Sequence, residues 1–301
     1  MIKNFTELIE IAKQQPKMML SVAAAEDDEV LLAIDAAREL GIVDAILVGN
    51  KEKIEEIAKN ADIDITKYEI VDCKNPIEAA RTAVALVSQG KADFLMKGLI
   101  GTADILKAVL DKEIGLRGKG LLSHVMAYSM DTYHKMLFLT DGGMVTYPDL
   151  AQKVQLINNA VAVVKALGVK PIHVVPVCAV EVINPDMQAT LDAAALSKMN
   201  QRGQIKDCII DGPLALDGAI SKEAAKHKGI NSPVAGEADI LLVPNIEAGN
   251  LLGKSMTYFA NAKSAGIIMG AKCPIVLVSR ADTHEAKLYS IALGCLVANQ
   301  K

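Results

Sequence analysis

Residues 274–293, PIVLVSRADTHEAKLYSIAL, hold the densest set of reactive side chains in the chain. An apolar run, expected as a buried strand, ends in Ser279-Arg280, and a helix is expected to begin around Asp282. A hydroxyl, a guanidinium and two carboxylates, Asp282 and Glu285, therefore fall close to one strand end. A guanidinium holds phosphate or carboxylate in a bidentate fork, and a nearby carboxylate can act as general base. The same stretch, Asp282-Thr-His-Glu285, also reads as a capping box with Asp282 at N-cap and Glu285 at N3. The residues alone leave both readings open.

Two further segments carry anion chemistry. In ADFLMKGLIGTADILKAVLD (92–111) a strand ends at Lys97-Gly98, a glycine turn follows, and Thr102 is placed to cap a helix. Lys107 then falls about one turn in, where its ammonium would face a bound anion or solvent. Gly249-Asn-Leu-Leu-Gly253-Lys254-Ser255 is close to a phosphate loop, but three residues separate its glycines where that motif has four. The preceding strand ADILLVP and the turn PNIEAGN still lead into a helix N-terminus, whose free N–H groups suit phosphate. Asn245 or Asn250 serves equally as a plain cap there. Gly118-Lys-Gly120-Leu-Leu-Ser123 lacks the last glycine of a dinucleotide fingerprint and reads as a loop. Ser123-His124 is the one place where a histidine stands next to a serine or cysteine, and the five histidines are otherwise scattered.

These residues need elements to position them. Near-continuous apolar runs mark strands at 18–25, 44–49, 68–72, 92–98, 136–141, 172–178, 207–211, 238–244 and 274–279, the pattern of strands covered on both faces. Between them, 27–40 sets Val30, Leu31, Ile34, Ala37 and Leu40 on one helical face. Residues 75–89 form a helix with Asn75 as N-cap, Pro76 at the first position and Gly90 as stop. Residues 149–168 and 283–298 are helical as well. Strands alternating with helices imply an α/β fold with mainly parallel sheets, whose ligands bind beyond the carboxyl ends of the strands.

Composition narrows the function. The chain has 301 residues, 51% hydrophobic and 23% charged, enough for about two domains with a sizeable core. Its net charge of −4 argues against a dedicated nucleic-acid binder. No apolar stretch approaches 18 residues, so no membrane span is expected. The N-terminus is interrupted by Glu7, Glu10 and Lys13 and has no secretory pattern, and the expected location is cytoplasmic. The five cysteines are spread through apolar runs as buried thiols, and no Cys/His cluster has metal-ligand spacing. Only five of the 32 basic residues are arginine (Arg38, Arg81, Arg117, Arg202 and Arg280).

Three segments, DGPLALDGAIS (211–221), SPVAGEADILLVPNIEAGN (232–250) and IVLVSRADTHEAKLYSIAL (275–293), resemble successive signatures of the phosphate acetyl/butyryl transferases, and TADILKAVLD (102–111) resembles the N-terminal one. The resemblance spans nearly the whole chain. SRAD, GPLALD and KSAGIIMGAKCPIVL (263–277) resemble the butyryl branch more than the acetyl one. The resemblance implies the reaction acyl-CoA + phosphate ⇌ acyl phosphate + CoA, with no cofactor beyond these substrates and no metal. It implies two α/β/α domains, 1–139 with 281–301 and 140–280, related in architecture to isocitrate and isopropylmalate dehydrogenases, with the active site in the interdomain cleft. A homodimer or larger homo-oligomer is implied too. An oxidoreductase of that related architecture would need a nicotinamide site and an acidic metal cluster, and neither is visible.

Carried over residue by residue, Ser279 and Arg280 match the family's Ser-Arg pair at the reacting thiol. The acetyltransferases follow that pair with two adjacent acids, the second being the proposed base. Here Glu285 matches the first and Ala286 stands at the second, so Glu285 is assigned as the base, with Asp282 in reserve. Lys107 stands where the acetyltransferases have arginine, keeping the charge without the fork. Gly98, Thr102, Lys107, Ser123, His124, Asn245, Glu247 and Asn250 are assigned to substrate binding.

Overall fold

The computed structural model describes residues 2–118, 120–279 and 282–300. The chain forms two compact units, one of residues 6–120 with 265–301 and one of residues 1–5 with 121–264. In chain order the elements are α1 (Phe5–Ala12), β1 (Met18–Ala23), α2 (Asp28–Glu39), β2 (Val43–Gly49), α3 (Lys51–Asn60), β3 (Glu69–Asp72), α4 (Pro76–Ser88), β4 (Phe94–Lys97) and α5 (Thr102–Val109). There follow β5 (Ser123–Ser129), β6 (Leu137–Thr140), α6 (Leu150–Ala166), β7 (His173–Pro176), α7 (Gln188–Gln201), β8 (Ile209–Ile210), α8 (Leu216–Ile220), α9 (Lys222–His227), β9 (Ile240–Leu242) and α10 (Ile246–Phe259). The chain closes with β10 (Lys263–Met269), β11 (Ile275–Val276) and α11 (His284–Ala298).

In the first unit the strand order is β3-β2-β1-β4-β11-β10. All neighbours are parallel except β10 and β11. Val22 pairs with both Leu47 and Met96, and Met96 pairs with Val276. Phe94, Leu95 and Met96 are consecutive and all buried, so this sheet is covered on both faces, as its apolar runs require. α11 packs as a nearly fully buried helix, with Tyr289 to Ala298 out of solvent. In the second unit the order is β5-β6-β9-β7-β8, with only β5 antiparallel to its neighbour. Sequence patterning sets the change of domain at 139/140, ahead of the long helix, whereas contacts set it at 120/121. β6 pairs with β9 and so groups with the strands that follow it.

The helix starts follow local chemistry. Asn75 Oδ1 accepts the N–H groups of Ile77 and Glu78 ahead of Pro76. Asp149 and Gln152 form a reciprocal capping box on α6. Gly90 and Gly168 stop α4 and α6 with φ of +74° and +74°. On α2, Val30, Leu31, Ile34 and Ala37 are buried as expected, while Leu40 is half-buried at the C-cap. All five cysteines are free, with Cys178, Cys273 and Cys295 buried and Cys73 and Cys208 half-buried. Burial pushes the Cys295 thiol up to about 11.

Two ion pairs described in the second unit are buried, Lys153 with Asp192 and, deeper, Lys135 with Asp239. Lys135 Nζ meets Asp239 Oδ1 at 2.7 Å, with side-chain exposures of 2% and 3%. Lys135 also donates to the Glu237 carbonyl, and Asp239 Oδ2 accepts the His173 N–H. Asp239→Ala leaves the buried ammonium with only the more distant Glu237 carboxylate, at 3.6 Å, and is expected to cost about 3 kcal/mol. Replacing both partners by apolar residues of similar volume should recover most of that loss. Urea midpoints of the single and double variants decide the matter, and a single variant within experimental error of wild type would refute the expectation.

Candidate active site

β1, β4 and β11 are parallel neighbours, so their carboxyl ends share one edge of the first unit's sheet. Lys97 ends β4 buried, at 6% exposure, and its Nζ donates to the Gly98 carbonyl at 3.2 Å. Gly98 crosses the end of β1. Its N–H donates to the Ala23 carbonyl, and a Cβ added there would lie 2.1 Å from the Ala24 oxygen. The glycine is required by packing, independently of any substrate.

The loop from β11 to α11 is built around Asp282. Its Oδ2 accepts the Ser279 N–H at 2.8 Å, and its own N–H donates to the Ser279 carbonyl at 3.1 Å. Ser279 is held in this tight turn and is exposed. Arg280 lies outside the described residues. The capping-box expectation is corrected: α11 begins at His284, and Thr283 is the N-cap, accepting the Ala286 N–H. Asp282 is diverted to the serine turn, which leaves the helix start one residue later. Glu285 then stands in the first turn, exposed, with its Oε1 accepting the Tyr289 hydroxyl at 2.6 Å. A phenol donor one turn on orients that carboxylate. From α2, the Glu29 carboxylate accepts the His284 N–H and stands 3.2 Å from its Nδ1, placing an anion at the helix N-terminus. Lys287, on the same helix, is 3% exposed and donates to the Asp282 carbonyl.

α5 departs from expectation. Gly101 is its N-cap, without a side-chain capping bond, and Thr102 is the exposed first residue. Lys107 lies about one turn in, as expected, which in this 8-residue helix is already the last turn. The helix is short, and five residues at about 1.5 Å each set Lys107 about 7–8 Å along the axis from Thr102. The remaining arginines of this unit serve structure. Arg81 pairs with Asp111 at 2.8 Å, Arg38 sits over the Tyr68 ring and near Asp44, and Arg117 donates to the Leu110 carbonyl.

In the second unit the structure brings His124, Asn250 and the start of α10 together around Asp141. Asp141 is 2% exposed, and its carboxylate accepts N–H groups from Gly143, Met144 and His124 at 2.8, 2.8 and 2.9 Å. The first two donors close residues 141–144 into a compact loop, and the His124 N–H ties that loop to β5. The loop rests on Gly249, where a Cβ would lie 2.8 Å from both the Asp141 oxygen and the Gly142 Cα. Asn245 Oδ1 caps α10 through the Ala248 N–H, and Asn250 Nδ2 donates to the Gly142 carbonyl at 3.3 Å. Residues 249–255 are helical, so the near-match to a phosphate loop is a helix interior. Glu247 accepts the Tyr147 hydroxyl, and that bond to the carboxylate raises the phenol above its usual value. Ser123 is buried, its Oγ accepting from Asn159 at 2.8 Å, which makes it a strand anchor.

Sequence reasoning missed Asp141, Lys97 and Lys287. Asp-Gly-Gly after a strand signals a side-chain-closed turn, but the two lysines look like surface charges until burial is known. Among the described residues, no three His, Cys, Asp or Glu side chains gather to hold a metal ion. No helix among them is long and apolar enough to cross a membrane.

Residues 74–295 match the family described as Phosphate acetyl/butaryl transferase. The chain is 52% identical over 298 residues to a phosphate butyryltransferase of Clostridium beijerinckii, covering 99% of each chain. It is 47% identical over 292 residues to a phosphate acetyltransferase of Thermotoga maritima, covering 97% of this chain and 99% of the relative. Among solved structures, a branched-chain phosphotransacylase from Enterococcus faecalis superposes with a TM-score of 0.82 at 32% identity, over 93% of this chain and 99% of that one.

Proposed function

The chain belongs to the phosphate acetyl/butyryl transferase family and is an acyltransferase, and from this premise we propose that it moves a butyryl group between CoA and inorganic phosphate. Full-length identity to a phosphate butyryltransferase carries the reading. The exposed Ser279 turn and the Tyr289-oriented Glu285 on the following helix support it.

A free thiol has a pKa of about 8.5, so only a few per cent is thiolate near neutral pH. In the direction of acyl-CoA synthesis, Glu285 takes the thiol proton while Ser279 orients the sulfur. The sulfur bonds to the carbonyl carbon of the acyl phosphate, and Arg280 stabilises the oxyanion that forms. The carbon–oxygen bond to phosphate then breaks, and phosphate leaves with its electron pair, held by Lys107 and by helix N-terminal N–H groups. In reverse, a phosphate oxygen attacks the thioester and the departing thiolate recovers the proton. Asp282 is the weaker choice of base because its carboxylate already accepts the Ser279 N–H. His124, Asn245, Glu247 and Asn250 are assigned to substrate binding, with CoA and phosphate as substrates and no further cofactor.

We place the enzyme in the cytoplasm as a homodimer or larger homo-oligomer. Leu251, Tyr258 and Phe259, exposed at 71%, 70% and 92% along α10, are apolar surface that a second copy would cover. Light scattering on a sizing column reads the mass, and a monomer at all concentrations refutes the assignment.

The function is tested by following free thiol release from butyryl-CoA with and without phosphate, then from acetyl-CoA. Phosphate-dependent release, faster with butyryl-CoA, is expected. Faster release with acetyl-CoA would keep the chemistry and overturn the acyl assignment. Binding of CoA with no release from either substrate would mark a sensing module instead.

A further inference from the structure

We infer that Lys287 is a positioning residue for the reaction, holding Ser279 in place through Asp282; this rests on the acyltransferase reading above. Lys287 stands at the head of the buried stretch of α11 and is itself 3% exposed, with every residue from Tyr289 to Ala298 buried after it. Burying an ammonium is costly, and a methionine of similar length would fill the space without that cost. The charge therefore calls for a reason, and its contact supplies one. Nζ donates to the carbonyl of Asp282, a loop residue outside the helix. The same residue's carboxylate receives the Ser279 N–H at 2.8 Å, and its N–H returns to the Ser279 carbonyl at 3.1 Å.

The resulting chain runs from helix to reacting loop: ammonium, Asp282 carbonyl, Asp282 carboxylate, Ser279 backbone. Its helical end is rigid, because α11 is buried along almost its whole length. Glu29 adds a second fastening at the His284 N–H. A loop tied at both of these points presents the Ser279 hydroxyl in one place. Without Lys287, the Asp282 carbonyl loses its anchor and the serine turn shifts as a unit. A displacement of about 1 Å at reacting groups can cost about 10²-fold in rate.

The test compares Lys287→Met with wild type in the thiol-release assay. We expect kcat to fall between about 10- and 10²-fold, with KM for acyl-CoA and phosphate changed by less than threefold and the melting temperature unchanged or raised. In a Ser279→Ala background the same substitution should reduce kcat by less than it does in wild type, since the hydroxyl is gone and Arg280 is the reacting group that loop still carries. A Lys287→Met kcat within threefold of wild type, or a full additive loss on Ser279→Ala, overturns the inference. If Lys287→Met fails to fold, Asp282→Ala interrupts the same chain from the half-buried loop, and an unchanged kcat there overturns it equally. Exchange of the Ser279 and Asp282 amides, measured without substrate, separates this inference from the reading it rests on. Faster exchange in the variant supports positioning, and unchanged exchange refutes it, whether or not the wild type turns over acyl-CoA.

Discussion

Arg280→Ala is expected to lower kcat by about 10²–10³-fold while leaving the folded state intact. The size follows from the assigned role. Removing one preorganised donor to a developing oxyanion typically costs about 2.7–4 kcal/mol of transition-state stabilisation. The selectivity for kcat follows too, because the oxyanion exists only after attack on the carbonyl, so substrate binding should change little. Arg280→Lys keeps the charge but loses the planar fork, and its rate should recover only in part. Ser279→Ala should lower kcat as well, by less, since the hydroxyl orients the sulfur and carries no charge. Steady-state kinetics with butyryl-CoA and phosphate, beside thermal melts, separate these outcomes. Near-normal kcat in both alanine variants would reject the roles given to the pair. A large rise in KM with kcat preserved would instead make Arg280 a ground-state clamp on a phosphate of CoA. The other described arginine contacts in the first unit, at Arg38, Arg81 and Arg117, bind carboxylates, an aromatic ring or a carbonyl of the chain itself.

Much of this arrangement was readable in the residues, for definable reasons. Parallel strands such as β1, β4 and β9 are buried on both faces and print as unbroken apolar runs. The caps at Asn75 and Asp149 are local, needing only the next three residues. β5 escaped because it is half-buried and alternates: Ser123, Val125, Ala127 and Tyr128 are buried, while His124, Met126 and Ser129 are partly exposed. β10 pairs antiparallel with β11 across the short connection of residues 270–274, a local contact, and it breaks the otherwise parallel pattern of the first unit's sheet. At the site, the Ser-Arg-x-Asp segment was legible as chemistry, but its wiring was not. A capping box and an Asp282–Ser279 turn use the same residue types at the same spacing. Only the start of α11 at His284 decides between them. Lys287 and Lys97 were invisible for a different reason, since nothing in a lysine's neighbours along the chain says that its amine is out of water. Gly98 was assigned to substrate, yet what its missing side chain accommodates is the carbonyl at the end of β1.

That last point sets the second large effect, on stability. Gly98→Ala is expected to destabilise the protein by about 4 kcal/mol or more, among the largest values for a single substitution. The added Cβ would lie 2.1 Å from the Ala24 oxygen, 2.8 Å from the Ala23 oxygen and 2.9 Å from the Ala24 carbonyl carbon. All three are backbone atoms, so no flexible side chain can swing away. Relief requires β4 to part from β1 where the Gly98 N–H bonds the Ala23 carbonyl. Both strands are central and buried, and an interior at close-packed density transmits such a shift to its neighbours. β4 also carries β11 in register, Met96 against Val276, three residues before Ser279. Activity should therefore fall together with the urea midpoint in Gly98→Ala, whereas Arg280→Ala and Ser279→Ala should lose activity at an unchanged midpoint. A Gly98→Ala protein of wild-type stability with a raised KM would restore the glycine to the substrate site and count against the close approach of the two strands. A midpoint that collapses with KM unaltered in the remaining folded fraction would establish that this glycine serves the fold that aims Ser279, and touches no substrate.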